Sequence, residues 1–248
     1  MRRVKLEIAY DGSNYCGWQI QTNGTSVEEV INKTLSDLLK KDIKVIGASR
    51  TDSGVHAMGN IAVFDTDTRI PTDRISYALN QRLPKDIQVQ SSVEVDKDFH
   101  PRFRKNKKTY QYRILNRNFS LPTERLYSYL FTYELDLDAM KEAAVHLIGR
   151  HDYKSFCSAR TDVKDTVRTI YSLDIGKVGD MVLIDVVGNG FLYNMIRIIV
   201  GTLIKVGEGV YSPDKVKEIL LACDRRLAGP TAPAKGLMLV SIDYDDQA

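Results

Sequence analysis

The sequence predicts an α+β protein of two ferredoxin-like halves, each running β-α-β-β-α-β, with antiparallel sheets flanking a central basic cleft. Three observations predict this class. Apolar patterns of period two and period 3.6 alternate in that order over the first hundred residues. A similar order of elements recurs over the rest of the chain, without residue-level identity between the halves. A basic stretch joins them, so the expected domains are 1–103 and 104–248.

In the first half, Val4, Leu6, Ile8 and Tyr10 alternate with Lys5, Glu7 and Ala9, which predicts a half-buried strand. A loop over 11–24 follows and holds the sole tryptophan, Trp18. In a loop, that indole is either a packing anchor or a recognition surface. Ser26 and Glu29 have the spacing of a capping box. They open a helix whose apolar face is Val27, Val30, Ile31, Leu35, Leu38 and Leu39. Ile43, Val45 and Ile46 form a second strand leading into a loop around Asp52, and 60–66 a third strand. Pro71 opens a helix with Ile75, Ala78 and Leu79 on one side, and 87–95 is a fourth strand.

In the second half, 107–115 alternates Tyr110, Tyr112 and Ile114 against polar residues and predicts a strand. A helix over 137–148 stops at Gly149. Residues 149–166 are poor in apolar side chains and predict a long loop, often a functional feature. Strands over 167–175 and 181–187 form a hairpin, followed by helices over 191–206 and 213–223 and a closing strand over 237–244.

At 248 residues the chain is long enough for a sizeable core. Its apolar runs fall far short of the ~20 residues a membrane helix needs. The first residues enter the strand pattern with no signal-peptide core before them, and Cys16, Cys157 and Cys223 form neither a metal spacing nor a disulfide framework. A cytoplasmic protein with no membrane partner is expected.

The net charge of +3 is modest but unevenly placed. No Asp or Glu occurs over 99–123, a window holding Arg102, Arg104, Lys105, Lys107, Lys108, Arg113 and Arg117 among Phe99, Phe103, Tyr110 and Tyr112. Cations interleaved with flat side chains suit a phosphate backbone and stacked bases, although a solvated basic linker has the same composition.

Four groups carry candidate chemistry. Asp52 stands in Arg50-Thr51-Asp52-Ser53-Gly54-Val55-His56, where a nearby guanidinium keeps a carboxylate ionised and Gly54 permits a tight turn. Arg197 is a cation on an otherwise apolar helix. It either snorkels to the surface or pairs with a carboxylate, for which Asp52 across the domain cleft is the candidate. The third group is Gly188-Asn189-Gly190, whose free N–H groups before that helix could hold an anion. Tyr110 and Tyr112 share a strand face and are either core or, beside an ionised Asp, a stacking or proton-transfer group. The four histidines are isolated, His56 lacks a third ligand nearby, and no metal site is expected.

Taken together these segments resemble the tRNA pseudouridine synthase A family. The resemblance rests on Tyr10-Asp11-Gly12 with Gly17-Trp18-Gln19-Ile20-Gln21, on 50–57, and on His100-Pro101-Arg102-Phe103. It extends through Tyr110-Gln111-Tyr112, Gly188-Asn189-Gly190-Phe191-Leu192 with Met195-Ile196-Arg197, and Ala232-Pro233-Ala234-Lys235-Gly236-Leu237. Ser53 and Pro101 stand where the family often has Ala. The resemblance implies isomerisation of uridine to pseudouridine at positions 38, 39 and 40 of the tRNA anticodon stem-loop, by a homodimer without a cofactor. It implies that Asp52 is the essential carboxylate, Arg197 its ion-pair partner and Tyr110 the residue stacked on the target base. Arg50 would fill the space of the flipped nucleotide, and His56, Arg102, Lys105, Lys107 and Lys108 would contact RNA. The residues themselves agree. A uridine in a stacked stem must be extruded before its glycosidic bond can be reached.

Two rival readings differ in their consequences. A non-catalytic RNA binder of two RRM-like halves would gain affinity from Asp52→Asn, and neither half carries the expected RNP1 pattern. A nuclease using Asp52 with a divalent metal would be sensitive to chelators, and no second carboxylate in the motifs would share the ion.

Overall fold

A computed structural model describes residues 1–158 and 165–245. Among them are ten strands and five α-helices, an α+β architecture with mostly antiparallel pairing. The chain divides into two compact units, Met1–Asn106 with Met238–Ala248, and Lys107–Leu237.

In the first unit the strands β1 (Arg2–Tyr10), β3 (His56–Thr66) and β4 (Ile87–Val95) lie in the order β4-β1-β3, each pair antiparallel. Val4, Leu6, Ile8 and Tyr10 are buried, as their alternation requires. Helix α1 (Val27–Leu39) begins at the Ser26 capping box, with the Glu29 N–H donating to Ser26 Oγ (3.2 Å) and the Ser26 N–H to Glu29 Oε2 (3.4 Å). Its buried residues include Val27, Ile31 and Leu35. Helix α2 (Thr72–Asn80) packs on α1 and β4 through Ile75 and Leu79, with Pro71 one residue before the helix.

The second strand is shorter than the apolar run suggested. Only β2 (Ile46–Gly47) pairs with β3, whereas Ile43 and Val45 are buried without joining the ladder. Both are held by α1 side chains instead. The Ile43 N–H donates to Ser36 Oγ (2.9 Å) and the Val45 N–H to Asn32 Oδ1 (2.8 Å). The closing strand β10 (Leu237–Tyr244) has its expected bounds but pairs parallel with β3, through Met238–His56 and Leu239–Ala57. It therefore belongs to the first unit, where the expected second domain of 104–248 had included it. β3 thus has β1 along one edge, while the other is shared, with β10 at its start and β2 near its end.

In the second unit β5 (Asn106–Asn116), β9 (Met181–Gly188), β8 (Val167–Val178) and β7 (Gly149–Asp152) form successive antiparallel pairs. A short β6 (Tyr129–Phe131) runs parallel to β5. Helices α3 (Leu137–Val145), α4 (Met195–Gly207) and α5 (Pro213–Ala222) pack on one another. The expected 149–166 loop starts with β7 and a 3₁₀ turn at Lys154–Phe156, and its 159–164 part lies outside the described residues. α4 is buried nearly throughout and crosses another segment closely. A Cβ on Gly201 would lie 1.8 Å from the Pro230 carbonyl oxygen. α4 starts at Met195 rather than at 191, because Asn194 takes a left-handed conformation (φ +61°) that no helix can continue through.

Candidate active site

Asp52 is half-buried in the loop between β2 and β3, four residues before the start of β3, where β10 pairs. The loop turns at Gly54 (φ +77°), and the Val55 N–H donates to the Asp52 carbonyl (3.1 Å). The segment after β1 clamps it from outside. The Trp18 N–H donates to the Thr51 carbonyl (3.1 Å), and the Gly54 N–H and Ser53 hydroxyl both donate to the Tyr15 carbonyl (3.3 Å each). From the sheet, Tyr10 Oη lies 2.8 Å from Thr51 Oγ1, and Asn60 Nδ2 donates to the Ser49 carbonyl (3.1 Å).

This approach requires glycine on the clamping segment. A Cβ on Gly12 would lie 2.0 Å from the Val55 carbonyl oxygen, and one on Gly17 (φ +104°) 2.5 Å from that of Thr51. Trp18 is fully buried, and a Cβ on Gly47 would come within 2.3 Å of its Nε1. The indole is therefore a packing anchor under the loop, the first of its two possible roles. His56 is only 4% exposed, with Nδ1 accepting from the Gly12 N–H (3.1 Å) and 3.1 Å from Asp11 Oδ1. Buried and engaged this way, it braces the clamp.

Arg50 is exposed. Arg102 Nε donates to the Gly47 carbonyl (2.8 Å), which tethers the start of the basic stretch beside the same loop. Burial, and next the nearby Arg50 guanidinium, push the Arg102 pKa down. The Glu28 carboxylate acts on Arg102 in the opposite direction. Lys105 is ion-paired with Asp245 (2.5 Å).

The second unit holds the remaining predicted residues. Tyr110 on β5 is buried, edge-on to Phe191 with ring centroids 5.3 Å apart. Tyr112, two residues along the same face, is fully buried and donates to the Pro233 carbonyl (2.7 Å). Burial raises its pKa, opposed by the positive charge of Arg197, so Tyr112 stays a phenol and serves the core. Arg197 is half-buried on α4, its Nε donating to the Ala232 carbonyl (2.7 Å) and its Nη1 to Asn194 Oδ1 (2.8 Å). Lys107 lies over the Tyr171 ring at 5.7 Å and Lys108 is half-buried on β5.

Sequence reasoning missed Asn194. Its amide also donates to Ser158 Oγ (2.8 Å), so it ties Arg197 to the 158 loop. The signal for it was an asparagine directly ahead of an apolar helix, the residue type after glycine that best tolerates a positive φ. Among the described residues no group of three His, Cys, Asp or Glu side chains could hold a metal ion, and no helix is long and apolar enough to cross a membrane.

Comparison with known proteins shows the family of the chain. A family model described as tRNA pseudouridine synthase matches residues 7–104 and 143–245. The tRNA pseudouridine synthase A of Bacillus subtilis (strain 168) is 47% identical over 246 residues, covering 98% of this chain and all of the relative. Those of Thermoanaerobacter sp. (strain X514) and Brevibacillus brevis are each 46% identical over 244 residues, again 98% of this chain and 100% of the relative. The chain belongs to the tRNA pseudouridine synthase A family, isomerases that convert uridine to pseudouridine in tRNA.

Proposed function

We propose that this isomerase acts on uridines 38, 39 and 40 of the tRNA anticodon stem-loop, with Asp52 as its essential carboxylate. The observation that carries this reading is the Asp52 loop. A half-buried carboxylate stands on a turn held from two sides by hydrogen bonds and by glycines whose Cβ would collide with the loop backbone. A surface ion pair contributes only about 0–1 kcal/mol and does not call for such bracing, whereas a reacting group needs fixed geometry.

The reaction breaks the N1–C1′ bond, turns the uracil, joins C5 to C1′, removes the C5 proton and places a proton on N1. Atoms and charge balance within the nucleoside, so no redox partner or group donor is consumed. Asp52 either attacks C1′ or removes a ribose proton, and both routes need the ionised carboxylate. We assign Arg197 as the cation that offsets this charge, Tyr110 as the platform for the target base and an aid to loss of the C5 proton, and Arg50 as the side chain that fills the place of the extruded nucleotide. Arg102, Lys105, Lys107 and Lys108 are assigned to tRNA phosphates. The working form is assigned as a cytoplasmic homodimer that holds one tRNA.

The test uses unmodified tRNA transcripts incubated without added metal or cofactor, then mapped for pseudouridine. Wild-type protein should modify positions 38–40, and Asp52→Ala should lose activity by several orders of magnitude. Asp52→Asn should still bind tRNA. Product at other positions only, or full activity in Asp52→Ala, would overturn the reading. Cleaved RNA that disappears with a chelator would indicate the nuclease instead.

A further inference from the structure

We propose that the stacked rings of His100 and Phe103 are a docking platform for an unpaired base of the RNA substrate, outside the reaction centre. This rests on the assignment of tRNA as substrate and adds a base contact to it.

Phe103 is 84% exposed, the most solvent-accessible large apolar side chain of the described residues. Its exposure is not the result of a loose segment. Its own N–H and that of Arg104 donate to the His100 carbonyl (3.2 and 3.0 Å), and the Pro101 carbonyl accepts from Tyr244 Oη (2.8 Å). Arg102 reaches the Gly47 carbonyl, as above, and Phe99 is buried against Tyr244. The segment is therefore anchored on both sides of Phe103, yet the phenyl ring is left out of the core.

One face of that ring is already occupied. The His100 imidazole lies parallel to it, with centroids 4.2 Å apart and planes 25° apart. The imidazole is itself fixed, because its Nδ1 accepts from the Arg102 N–H (3.2 Å). A backed, oriented ring with its other face open suits another flat π-system, and leaving so much phenyl surface in water is otherwise unfavourable. The chemistry around it selects the class of partner. Arg102 and Arg104 are the chain neighbours of Phe103, with Arg104 over the Phe99 ring at 5.9 Å; Arg102 feels the charge of Arg50 and, more weakly, that of Glu28, and no acidic residue occurs over 99–123. A flat apolar face on a basic segment fits a nucleobase with its phosphates better than the apolar surface of another protein.

The test compares Phe103→Leu, which keeps apolar bulk but removes the ring, with Phe103→Tyr, which keeps the ring. Phe103→Leu should weaken tRNA binding about 5- to 150-fold, the range for loss of one base–aromatic stack. The loss should fall on Kd and KM rather than kcat, and Phe103→Tyr should recover most of it. Because no charge is removed, the slope of log Kd against log salt should match wild type, whereas Arg102→Ala should make it shallower. Wild-type affinity in Phe103→Leu would overturn the proposal. So would a drop in oligomer mass for that variant in sedimentation, which would show a second copy of the chain on the ring. A wild-type protein that binds no tRNA would instead overturn the substrate assignment.

Discussion

Gly17→Ala tests whether the clamp over the Asp52 loop matters to catalysis. Gly17 has φ +104°, a conformation L-residues rarely adopt. Its added Cβ would lie 2.5 Å from the Thr51 carbonyl oxygen, 3.1 Å from the Asp52 carbonyl carbon and 3.2 Å from the Ser53 nitrogen. Ordinary contacts begin at 3.4 Å, so the Thr51 carbonyl must retreat by nearly an ångström. That carbonyl accepts from the Trp18 N–H at 3.1 Å, a bond that the retreat would break. Backbone strain of this kind costs about 1–3 kcal/mol and the lost hydrogen bond about 1 kcal/mol. Together these predict destabilisation of about 2–4 kcal/mol and a Tm lower by about 5–15 °C. A displacement near one ångström at a reacting group can lower its rate by about 100-fold.

The control is Gly209→Ala. Gly209 also has a positive φ (+73°), but nothing lies within 4 Å of its Cβ position, and it follows α4 in the second unit. It should lose stability through strain alone, with unchanged activity. The assay is single-turnover pseudouridine formation at 25 °C, with melting followed by circular dichroism. Gly17→Ala should lose rate while fully folded. If it melts early but reacts at the wild-type rate, the clamp is scaffolding only and the argument for Asp52 from its bracing falls.

Two further predictions concern other parts of the molecule. Asn194→Gly suits the left-handed backbone but removes the amide that accepts from Arg197, so it should lower kcat about tenfold or more with little change in Tm. In an Arg197→Ala background it should add nothing, and an independent, additive loss would refute a role through Arg197. Burial raises the pKa of Tyr15, Tyr112, Tyr153 and Tyr244, with Tyr15 raised further by its hydrogen bond to Asp86. The neutral phenol is thus favoured in the folded state. Its stabilisation is complete below about pH 10, the ordinary tyrosine value, and is lost as pH rises above it. In an alkaline titration at 295 nm these four of the 13 tyrosines should ionise only as the circular dichroism collapses, and their titration near pH 10 in folded protein would refute the burial.

What could be foreseen from the sequence follows the range of the forces involved. The α1 capping box and the bounds of β4 were legible because they depend on residues a few positions apart. The partner of β10 was not, because the period-two pattern that marks a strand says nothing about which edge it joins. Ile43 and Val45 showed that burial and ladder pairing are separable, since α1 side chains satisfied their N–H groups before a strand could. At the site, Asp52 stood out as a charge beside glycine, but its fixation by Gly12, Gly17 and Tyr10, more than thirty residues upstream, is a tertiary fact. Residue type names the chemistry that a side chain can perform, while the fold decides whether that chemistry is still available. His56 has a polar ring, but its Nδ1 is engaged by Gly12 and the ring is buried. Phe103 has the chemistry of a core residue and is left in solvent by a segment anchored on both sides of it. Both departures run against what the residue types favour, and a departure the fold maintains with fixed backbone is where a function should be sought.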